Sequence, residues 1–328
     1  MSLRSHCTSL VVSLSNHEQD GSSFDKLRMS VCTLAWAMLA VLSLAPSAPA
    51  GQDKRTYYTV QHPDQFAIDW AAFYDRAEAM TDQARRLVPH HLDLSYGTNP
   101  KQRLDVYEAT PRRSGAPVFI FLHGGGFREG DRRQYGYVAG ALAPNGVVTV
   151  VPSYRLLPDH YPAQAHDTEA IVAWAHANIR RFGGAPGRIY IGGHSAGAIM
   201  STLAALQRDW VSQLRLPLDV IKGVVAVSGP YDLRHATGFV ADYLPDPATR
   251  AGASPLLHVA AGAPPMIVAF GTLEPPYVKG SSEFVDALVR AGADARLIPL
   301  AGMQHDATAL SLGDADGAVV RAMLALMH

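Results

Sequence analysis

A serine flanked by glycines is the residue whose surroundings most clearly predict chemistry. Residues 193–197 read Gly-His-Ser-Ala-Gly, which matches the pattern G-x-S-x-G around Ser195. The apolar segment 189–192 before it is typical of a buried strand, and the apolar residues after it recur at helical spacing. A strand, a sharp turn and a helix hold an exposed nucleophilic serine, with glycines where neighbouring chain leaves no room for a Cβ. A glycine-rich turn without catalytic function fits the short pattern as well.

A run of glycines follows another apolar strand. Residues 121–127 read Phe-Leu-His-Gly-Gly-Gly-Phe. Consecutive glycines let backbone N–H groups point into a site, as acyl transfer needs where a carbonyl oxygen becomes an oxyanion. We predict that the N–H groups of Gly125, Gly126 and Ala196 are the oxyanion donors, and that His123 holds the loop. The alternative, a phosphate-binding loop, lacks the Lys-Ser/Thr pair and the glycine spacing that such loops require.

A serine nucleophile needs a general base, and the base needs an orienting carboxylate. The chain has 14 histidines. We choose His305 because it follows the last predicted strand, in a loop at the same edge of the sheet as Ser195. Three other histidines lie in or near predicted helices, where we expect packing or solvent exposure: His166, His176 and His258.

Glu274 is the predicted orienting acid. It is the only carboxylate in the loop 271–276, which follows the strand predicted over 266–270. The resulting order along the chain, serine, acid and histidine, is one of the known orders of catalytic triads. Asp232 follows the preceding strand and is the rival acid.

Residues beside these motifs are candidates for substrate binding: Phe127, His194 and Tyr231. Metal signatures are absent from the sequence, which has neither H-E-x-x-H nor C-x-x-C. The segment 314–317 is too short for a calcium loop and is more typical of a helix cap. We therefore expect no metal and no cofactor.

Strands alternate with helices along most of the chain, which predicts a mostly parallel sheet with helices on both faces. The predicted strands are 91–96, 103–108, 118–122, 147–151, 189–192, 220–227, 266–270 and 296–300. Besides the helix after Ser195, the predicted helices are 137–142, 167–181, 281–290 and 315–327. The first two strands are joined by the turn 97–100, and this hairpin predicts an antiparallel edge.

An amphipathic helix is predicted ahead of the first strand. Over 64–87 the apolar residues recur in steps of four and three, which indicates one apolar stripe. Asp64 is the predicted N-cap, and Pro89 ends the helix. The helix either covers the active-site face as a cap-like segment or packs on the outside of the domain.

The first fifty residues predict export. Lys26 and Arg28 precede the apolar segment 31–44, and Ala-Pro-Ala follows, ending at Ala50. A basic region, a short apolar region and a small-residue cleavage site make a secretory signal peptide, and the apolar segment is too short to span a bilayer. We expect cleavage near Ala50 and a secreted or periplasmic mature chain. The alternatives are a short membrane anchor or an N-terminal extension, with Met29 as a second possible start.

Composition fits a globular enzyme. The chain has 328 residues, of which 48% are hydrophobic and 17% charged, enough for a large core. The formal net charge of −1, without a basic stripe, argues against a nucleic-acid partner. Both cysteines, Cys7 and Cys32, lie in the part that signal cleavage would remove. We divide the chain into an extension with signal peptide (1–50), a helical cap-like segment (51–90) and a catalytic domain (91–328).

Five segments carry a family resemblance that spans about residues 90 to 310. They are His123-Gly-Gly-Gly-Phe127, Ser153-Tyr-Arg-Leu-Leu-Pro158, Gly193-His-Ser-Ala-Gly197, Ser228-Gly-Pro-Tyr-Asp-Leu233 and Gly302-Met-Gln-His305. They resemble the α/β-hydrolase superfamily, in particular the hormone-sensitive-lipase-like esterases and the kynurenine-formamidase-like hydrolases. The resemblance implies an α/β-hydrolase fold and supports Gly125 and Gly126 as oxyanion donors. Where the family usually has Asp before Pro, this chain has Glu274.

These observations predict a serine hydrolase that cleaves short-chain carboxylic esters through an acyl-enzyme. Ser195 attacks, His305 moves the proton and Glu274 orients His305. The expected partner is a small-molecule ester, with no nucleic acid and no stable membrane insertion of the mature chain.

Short acyl chains are expected because no long apolar lid is inserted between the strands at 220–227 and 266–270. The Pro-rich stretch 243–255 either contributes to a small lid or forms a surface loop. Two other functions stay open. One is an arylformamidase-like amidase, and the other is a catalytically silent α/β-hydrolase that binds a ligand.

Overall fold

The computed structural model describes residues 68–328. The predicted signal peptide, its cleavage site near Ala50 and the predicted N-cap Asp64 lie outside these residues. Within 68–328, no helix combines the length and the apolar composition needed to cross a bilayer.

Eight strands form one sheet in the order β1-β2-β4-β3-β5-β6-β7-β8. Their bounds are β1 His90–Ser95, β2 Arg103–Tyr107, β3 Ala116–Leu122, β4 Val148–Pro152, β5 Gly184–His194, β6 Ile221–Val227, β7 Met266–Gly271 and β8 Ala295–Leu300. Strand β2 pairs antiparallel with β1 and β4, and all the other neighbouring pairs in the sheet are parallel. The predicted mostly parallel sheet with an antiparallel N-terminal edge is confirmed.

Nine α-helices accompany the sheet in the described residues. They are α1 Trp70–Leu87, α2 Tyr137–Leu142, α3 Ala163–Asn178, α4 Ala196–Leu206, α5 Asp209–Gln213, α6 Gly238–Tyr243, α7 Pro275–Arg290, α8 His305–Leu310 and α9 Ala318–Met327. All seven residues of β3 are buried. Val118 and Ile120 join the core that includes α3, α4 and α7, while Phe119 and Phe121 join the core that includes α1, α2 and α9. The sheet is therefore covered by helices on both faces, as continuous apolar strands require.

Helix α7 begins earlier than its sequence pattern predicts. The predicted start is Ser281, whereas the helix begins at Pro275, with Glu274 as its N-cap residue. Two prolines in succession resemble a helix-breaking signal. A proline in the first turn is nevertheless tolerated, because its missing N–H would have no intrahelical acceptor there. The early start places Glu274 at the junction of β7 and α7.

Helix α1 also differs from its prediction. It begins at Trp70, and the N-cap is Asp69, whose carboxylate accepts a hydrogen bond from the N–H of Ala72 at 3.1 Å. The apolar stripe stops before the end of the helix, since Leu87 is 70% exposed. The middle of α1 packs on α2, where Thr81 Oγ1 accepts a hydrogen bond from the N–H of Tyr137 at 3.2 Å.

Candidate active site

The predicted strand, turn and helix around Ser195 are present. Ser195 lies between β5 and α4 with φ 55° and ψ −115°, a sparsely populated region for a residue with a side chain. Its N–H donates to the carbonyl of Val227 at 2.9 Å, which anchors the turn to the end of β6. The strain is thus held by the surrounding sheet, as a nucleophile turn requires.

The two glycines that flank Ser195 are required by the backbone of β3. A Cβ on Gly197 would lie 2.6 Å from the carbonyl carbon of Leu122 and 2.9 Å from the oxygen of His123, and one on Gly193 would lie 2.6 Å from the oxygen of Leu122. Backbone atoms within a sheet cannot give way at such distances. The glycines therefore allow the turn to approach the end of β3, from which the glycine run starts.

The glycine run lies directly against the nucleophile turn. A Cβ on Gly124 would be 3.3 Å from the Cβ of Ser195. Gly125 and Gly126 have φ values of 114° and 60°, which glycine adopts without steric cost. The carbonyl of Gly125 accepts two backbone hydrogen bonds from the residues that close the loop, at 3.0 and 3.1 Å.

Three backbone N–H groups are available at this edge of the sheet. Among residues 68–328, neither Gly125 nor Gly126 donates a backbone hydrogen bond within its loop. The N–H of Ala196 is the first of α4, and a first-turn N–H has no intrahelical acceptor. Donors of this kind stabilise a developing oxyanion.

His123 lies inside the glycine loop. Its Nδ1 donates to the carbonyl of Gly124 at 2.7 Å, and its ring stacks between those of Tyr135 and Tyr154. The hydroxyl of Tyr154 donates to the carbonyl of His123 at 2.6 Å. Burial lowers the pKa of His123 to about 4, so the ring is neutral near pH 7. These contacts fit the predicted role of holding the loop.

Glu274 and His305 meet at the carboxyl ends of β7 and β8. Glu274 Oε1 lies 2.5 Å from His305 Nδ1. The other carboxylate oxygen, Oε2, accepts hydrogen bonds from the N–H of Gly271 at 2.6 Å and the hydroxyl of Ser228 at 2.7 Å. Glu274 is 0% exposed, so each of these donors stabilises a charge that water does not reach.

The rival acid, Asp232, has another partner. Its Oδ2 lies 2.6 Å from Nη2 of Arg234, and both side chains are partly exposed. The hydrogen bond from Arg234 lowers the pKa of Asp232. The structure therefore brings Glu274, and not Asp232, to His305.

Aromatic rings surround the imidazole of His305. The ring of Tyr277 stacks on it with centroids 5.2 Å apart, that of Trp70 meets it edge-on at 6.3 Å, and that of His194 lies at 4.4 Å. Trp70 is the first residue of α1. The first turns of α1 thus border the site, while its middle packs on α2. A cap-like role of the segment 51–90 stays a prediction.

Helix α1 also reaches the glycine loop. The hydroxyl of Tyr74 donates to Glu129 Oε1 at 2.9 Å, and the N–H of Glu129 donates to the carbonyl of Gly125. One helix therefore contacts both the acid–base side and the glycine loop of the candidate site.

Two of the candidate substrate-binding residues, Phe127 and Tyr231, are fully buried. The ring of Phe127 stacks on that of Tyr243 in α6 at 3.6 Å, and the ring of Tyr231 stacks on that of Phe284 at 4.2 Å. Their burial favours packing roles. A position beside a motif in the sequence does not fix the direction in which a side chain points. Substrate contact by either residue stays a prediction.

The third candidate, His194, directly precedes Ser195 in the chain, and its ring lies 4.4 Å from that of His305. Its Nε2 is 3.2 Å from Thr308 Oγ1. Burial and the neighbouring ring of His305 hold the pKa of His194 well below its usual range, so this histidine is neutral near pH 7. Contact between its side chain and substrate also stays a prediction.

Helix α6 also contacts the glycine loop. The Cβ of Phe239 is 3.3 Å from the position that a Cβ on Gly126 would take, and Tyr243 stacks on Phe127. After α6, Ser254 Oγ accepts a hydrogen bond from the N–H of Leu233 at 2.9 Å. This hydrogen bond attaches the Pro-rich stretch that begins at Tyr243 to the segment after β6.

Sequence reasoning gave no role to Ser228, which begins one of the five resemblance segments, and did not single out Thr308. Ser228 follows β6 with φ 52°, and its Oγ lies 2.9 Å from Thr308 Oγ1. A positive φ on a serine is visible only in the structure, and a threonine within a helix carries no motif.

The described residues contain no group of three or more His, Cys, Asp or Glu side chains arranged to hold a metal ion.

Comparison with known proteins identifies the relatives of this chain. The profile of the BD-FAE family matches residues 104–286, more than half of the chain. Esterase LipC of Mycobacterium tuberculosis is 33% identical over 232 residues, which cover 64% of this chain and 57% of LipC. Kynurenine formamidase of Salmo salar is 32% identical over 157 residues, which cover 47% of this chain and 50% of the formamidase. The chain thus spans little more than half the length of these relatives.

Solved structures show the same architecture. A hyperthermophilic esterase from Pyrobaculum calidifontis superposes with a TM-score of 0.62 at 20% identity, covering 77% of this chain and 88% of the esterase. At this identity the similarity concerns the fold. Together with the strand order, it confirms the predicted α/β-hydrolase fold.

Proposed function

The chain belongs to the BD-FAE family, and we propose that it is a serine hydrolase that cleaves short-chain carboxylic esters. The observation that carries the proposal is the 2.5 Å contact between buried Glu274 and His305. Both lie at the sheet edge where the strained turn holds Ser195. A nucleophile, a base and an orienting acid at one edge constitute the machinery of acyl transfer.

The reaction proceeds through an acyl-enzyme. Ser195 Oγ attacks the ester carbonyl while Nε2 of His305 takes its proton. Glu274 accepts the hydrogen bond from His305 Nδ1–H, which keeps Nε2 free as the base and stabilises the imidazolium. His305 then protonates the departing alcohol, and a water molecule activated by the same imidazole releases the acid.

The developing oxyanion needs donors that are already in position. The backbone N–H groups of Gly125, Gly126 and Ala196 have this role in the proposed mechanism. Their support comes from the availability of these N–H groups in the described residues and from the approach of the glycine run to Ser195.

Small soluble esters are the proposed substrates. Phe239 and Tyr243, the aromatic residues of α6, are buried against the glycine loop. A lid that docks on a lipid surface instead presents an apolar patch to solvent. We therefore expect acetate and butyrate esters to be cleaved faster than emulsions of long-chain esters.

A formamide is the second candidate substrate class. The same nucleophile, base and oxyanion donors serve amide hydrolysis, and the similarity to kynurenine formamidase of Salmo salar favours this alternative over other amides.

A substrate panel separates these functions. The kcat/KM values are measured for p-nitrophenyl acetate, p-nitrophenyl butyrate, a long-chain ester emulsion and N-formylkynurenine, with Ser195→Ala as the control. The proposal predicts the largest values for the short esters and none for the variant. A larger value for N-formylkynurenine would favour the formamidase, and faster cleavage of the emulsion would contradict the short-chain preference. A folded protein that turns over none of them would contradict the proposed ester hydrolysis and favour the ligand-binding alternative.

We also propose that the protein is exported. The proposal rests on the basic residues, the apolar segment and the Ala-Pro-Ala site of the first fifty residues. Mass spectrometry of the protein exported by a bacterial host should find an N-terminus near Gly51. An intact N-terminus at Met1 or Met29 would contradict cleavage.

A further inference from the structure

The second oxygen of the Glu274 carboxylate defines a site behind the triad. Oε1 faces His305, and Oε2 faces away from it toward Ser228 and Gly271. Ser228 Oγ is the side-chain donor to this oxygen, at 2.7 Å, and Ser228 is fully buried. A buried carboxylate that loses a donor is left with an uncompensated charge.

The direction of the hydrogen bonds follows from the number of protons. A carboxylate only accepts, so the single hydroxyl proton of Ser228 goes to Glu274. The oxygen of Ser228 then accepts from Thr308, whose Oγ1 lies 2.9 Å away. Thr308 Oγ1 also lies 2.9 Å from the carbonyl of His305, so its one proton is shared between these two acceptors.

His194 also lies beside this pair of hydroxyls. Its Nε2 is 3.2 Å from Thr308 Oγ1, and its ring has a hydrogen bond to the backbone of His305. Ser228 thus donates to Glu274, while Thr308 links Ser228 to the backbone of His305.

The backbone at Ser228 has an unfavourable conformation. Its φ of 52° lies in the left-handed region, which glycine occupies at little cost and other residues occupy at a penalty. Gly229 follows directly in the sequence. A serine at a position that suits glycine indicates that the hydroxyl is used.

We propose that Ser228 and Thr308 are positioning residues of the triad. Their paired hydroxyls hold the carboxylate of Glu274 and the backbone of His305 in fixed positions relative to each other. Ser228 fixes the acid, and Thr308 fixes the first turn of α8, on which the base lies. The inference rests on the proposed function, since it assigns the pair to the triad that carries out ester hydrolysis.

The first test removes each hydroxyl and keeps the fold. Ser228→Gly suits the positive φ and lacks the hydroxyl, Thr308→Val keeps the branched shape, and Thr308→Ser restores the hydroxyl. We expect kcat for p-nitrophenyl acetate to fall about 10- to 100-fold in Ser228→Gly and Thr308→Val with KM nearly unchanged, and to recover in Thr308→Ser. Unchanged kcat in both hydroxyl-free variants would overturn the inference.

A matched control is available in α7. Ser281 is buried, and within residues 68–328 its hydroxyl has no hydrogen-bond partner. Ser281→Ala should leave kcat unchanged. An equal loss in Ser281→Ala and Ser228→Gly would show that any buried serine has this effect, which would contradict a specific positioning role.

A double-mutant cycle distinguishes positioning from general packing. If Ser228 acts through Glu274, adding Ser228→Gly to Glu274→Gln should lower kcat by less than about twofold, because the acid on which it acts is already gone. Losses that multiply in the double variant would show that Ser228 acts independently of the acid.

A spectroscopic measurement separates this inference from the proposed function. The proton between His305 Nδ1 and Glu274 should give a far-downfield ¹H NMR resonance, identified by its loss in His305→Gln. We expect the resonance to shift in Ser228→Gly and Thr308→Val, and to keep its position in Ser281→Ala. A resonance that does not move in the hydroxyl-free variants overturns the positioning role. A shift in a protein that turns over no ester supports that role while the proposed function fails.

Discussion

The two halves of the candidate site are held in place by different means. The nucleophile half consists of the Ser195 turn and the glycine loop, and backbone sterics fix it: the glycines that flank Ser195 leave no room for a Cβ against β3. The acid–base half consists of Glu274 and His305, and side-chain hydrogen bonds and rings fix it.

This difference predicts how each half responds to substitution. In the nucleophile half an added methyl group meets main-chain atoms that cannot move, so the fold itself suffers. In the acid–base half a removed hydroxyl or carboxylate leaves the fold standing and lowers the rate. Variants in the two halves therefore test whether one half responds through stability and the other through rate.

The largest expected effect lies in the acid–base half. Glu274→Gln keeps the size of the side chain and removes its charge, so the imidazolium on His305 loses its partner. We expect kcat for p-nitrophenyl acetate to fall by about 10³- to 10⁴-fold, with an unchanged circular dichroism spectrum. Asp232→Asn is the control and should keep activity within about twofold, since Asp232 pairs with Arg234. A greater loss in Asp232→Asn than in Glu274→Gln would exclude Glu274 as the acid.

The nucleophile half should respond through stability. Gly197→Ala places a methyl group 2.6 Å from the carbonyl carbon of Leu122. We expect the free energy of unfolding in urea to fall by about 3 kcal/mol or more. Gly280→Ala, in α7 with no atom within 4 Å of the new Cβ, should instead raise it by about 0.5–1 kcal/mol. A fully stable Gly197→Ala protein would show that sterics do not hold this turn.

A titratable side chain inside the glycine loop predicts a pH dependence of stability. His123 has a pKa of about 4 in the folded chain and an ordinary value of 6.5 when unfolded. Between these values only the unfolded state binds the proton, so the free energy of unfolding falls as the pH falls from 6.5 to 4. The total loss is about 3 kcal/mol.

Urea titrations across that pH range measure this effect. His194 is neutral for the same reason and adds to the loss, while the negative charge of Asp131 opposes it by favouring protonation of His123. His123→Asn removes one of the titrating groups, so its stability should depend less steeply on pH than that of the wild-type protein. Equal slopes in the two proteins would show that His123 is not the buried neutral group described above.

The smallest effect concerns the contact of α1 with the acid–base half. Trp70→Phe replaces the indole that meets His305 edge-on with a smaller ring. An aromatic pair of this geometry contributes about 0.5–1.5 kcal/mol, so kcat should fall less than about tenfold. Trp174→Phe changes a tryptophan that stacks on Phe182 in another part of the fold and should leave kcat unchanged. Equal activity of both variants would show that α1 does not support His305.

The sequence predicts the nucleophile half better than the acid–base half, and the reason is physical. A backbone that needs a positive φ or a close approach selects glycine. The glycines around Ser195 and at 124–126 therefore make these constraints recognisable in the sequence. Continuous apolar strands likewise follow from burial on both faces, and their predicted positions agree with β3, β4, β6 and β7 to within two residues at each end.

The acid–base half depends on contacts that leave no such pattern. Ser228 and Thr308 are ordinary hydroxyl residues until β6 and α8 bring them to 2.9 Å. The early start of α7 at Pro275 is hidden by two prolines that resemble a break. The same holds for side-chain direction in the nucleophile half: Phe127 ends the glycine run, yet its ring is buried against that of Tyr243.

Acetylation of Ser195 tests most directly whether the two halves act together as an ester-cleaving site. The protein is mixed with p-nitrophenyl acetate, quenched in acid within one turnover and digested, and peptide masses locate the acetyl group. We predict a single acetyl group on the Ser195 peptide of the wild-type protein, none in Ser195→Ala, and much slower labelling in Glu274→Gln. Hydrolysis by Ser195→Ala at the wild-type rate, or an acetyl group confined to other residues, would contradict the account.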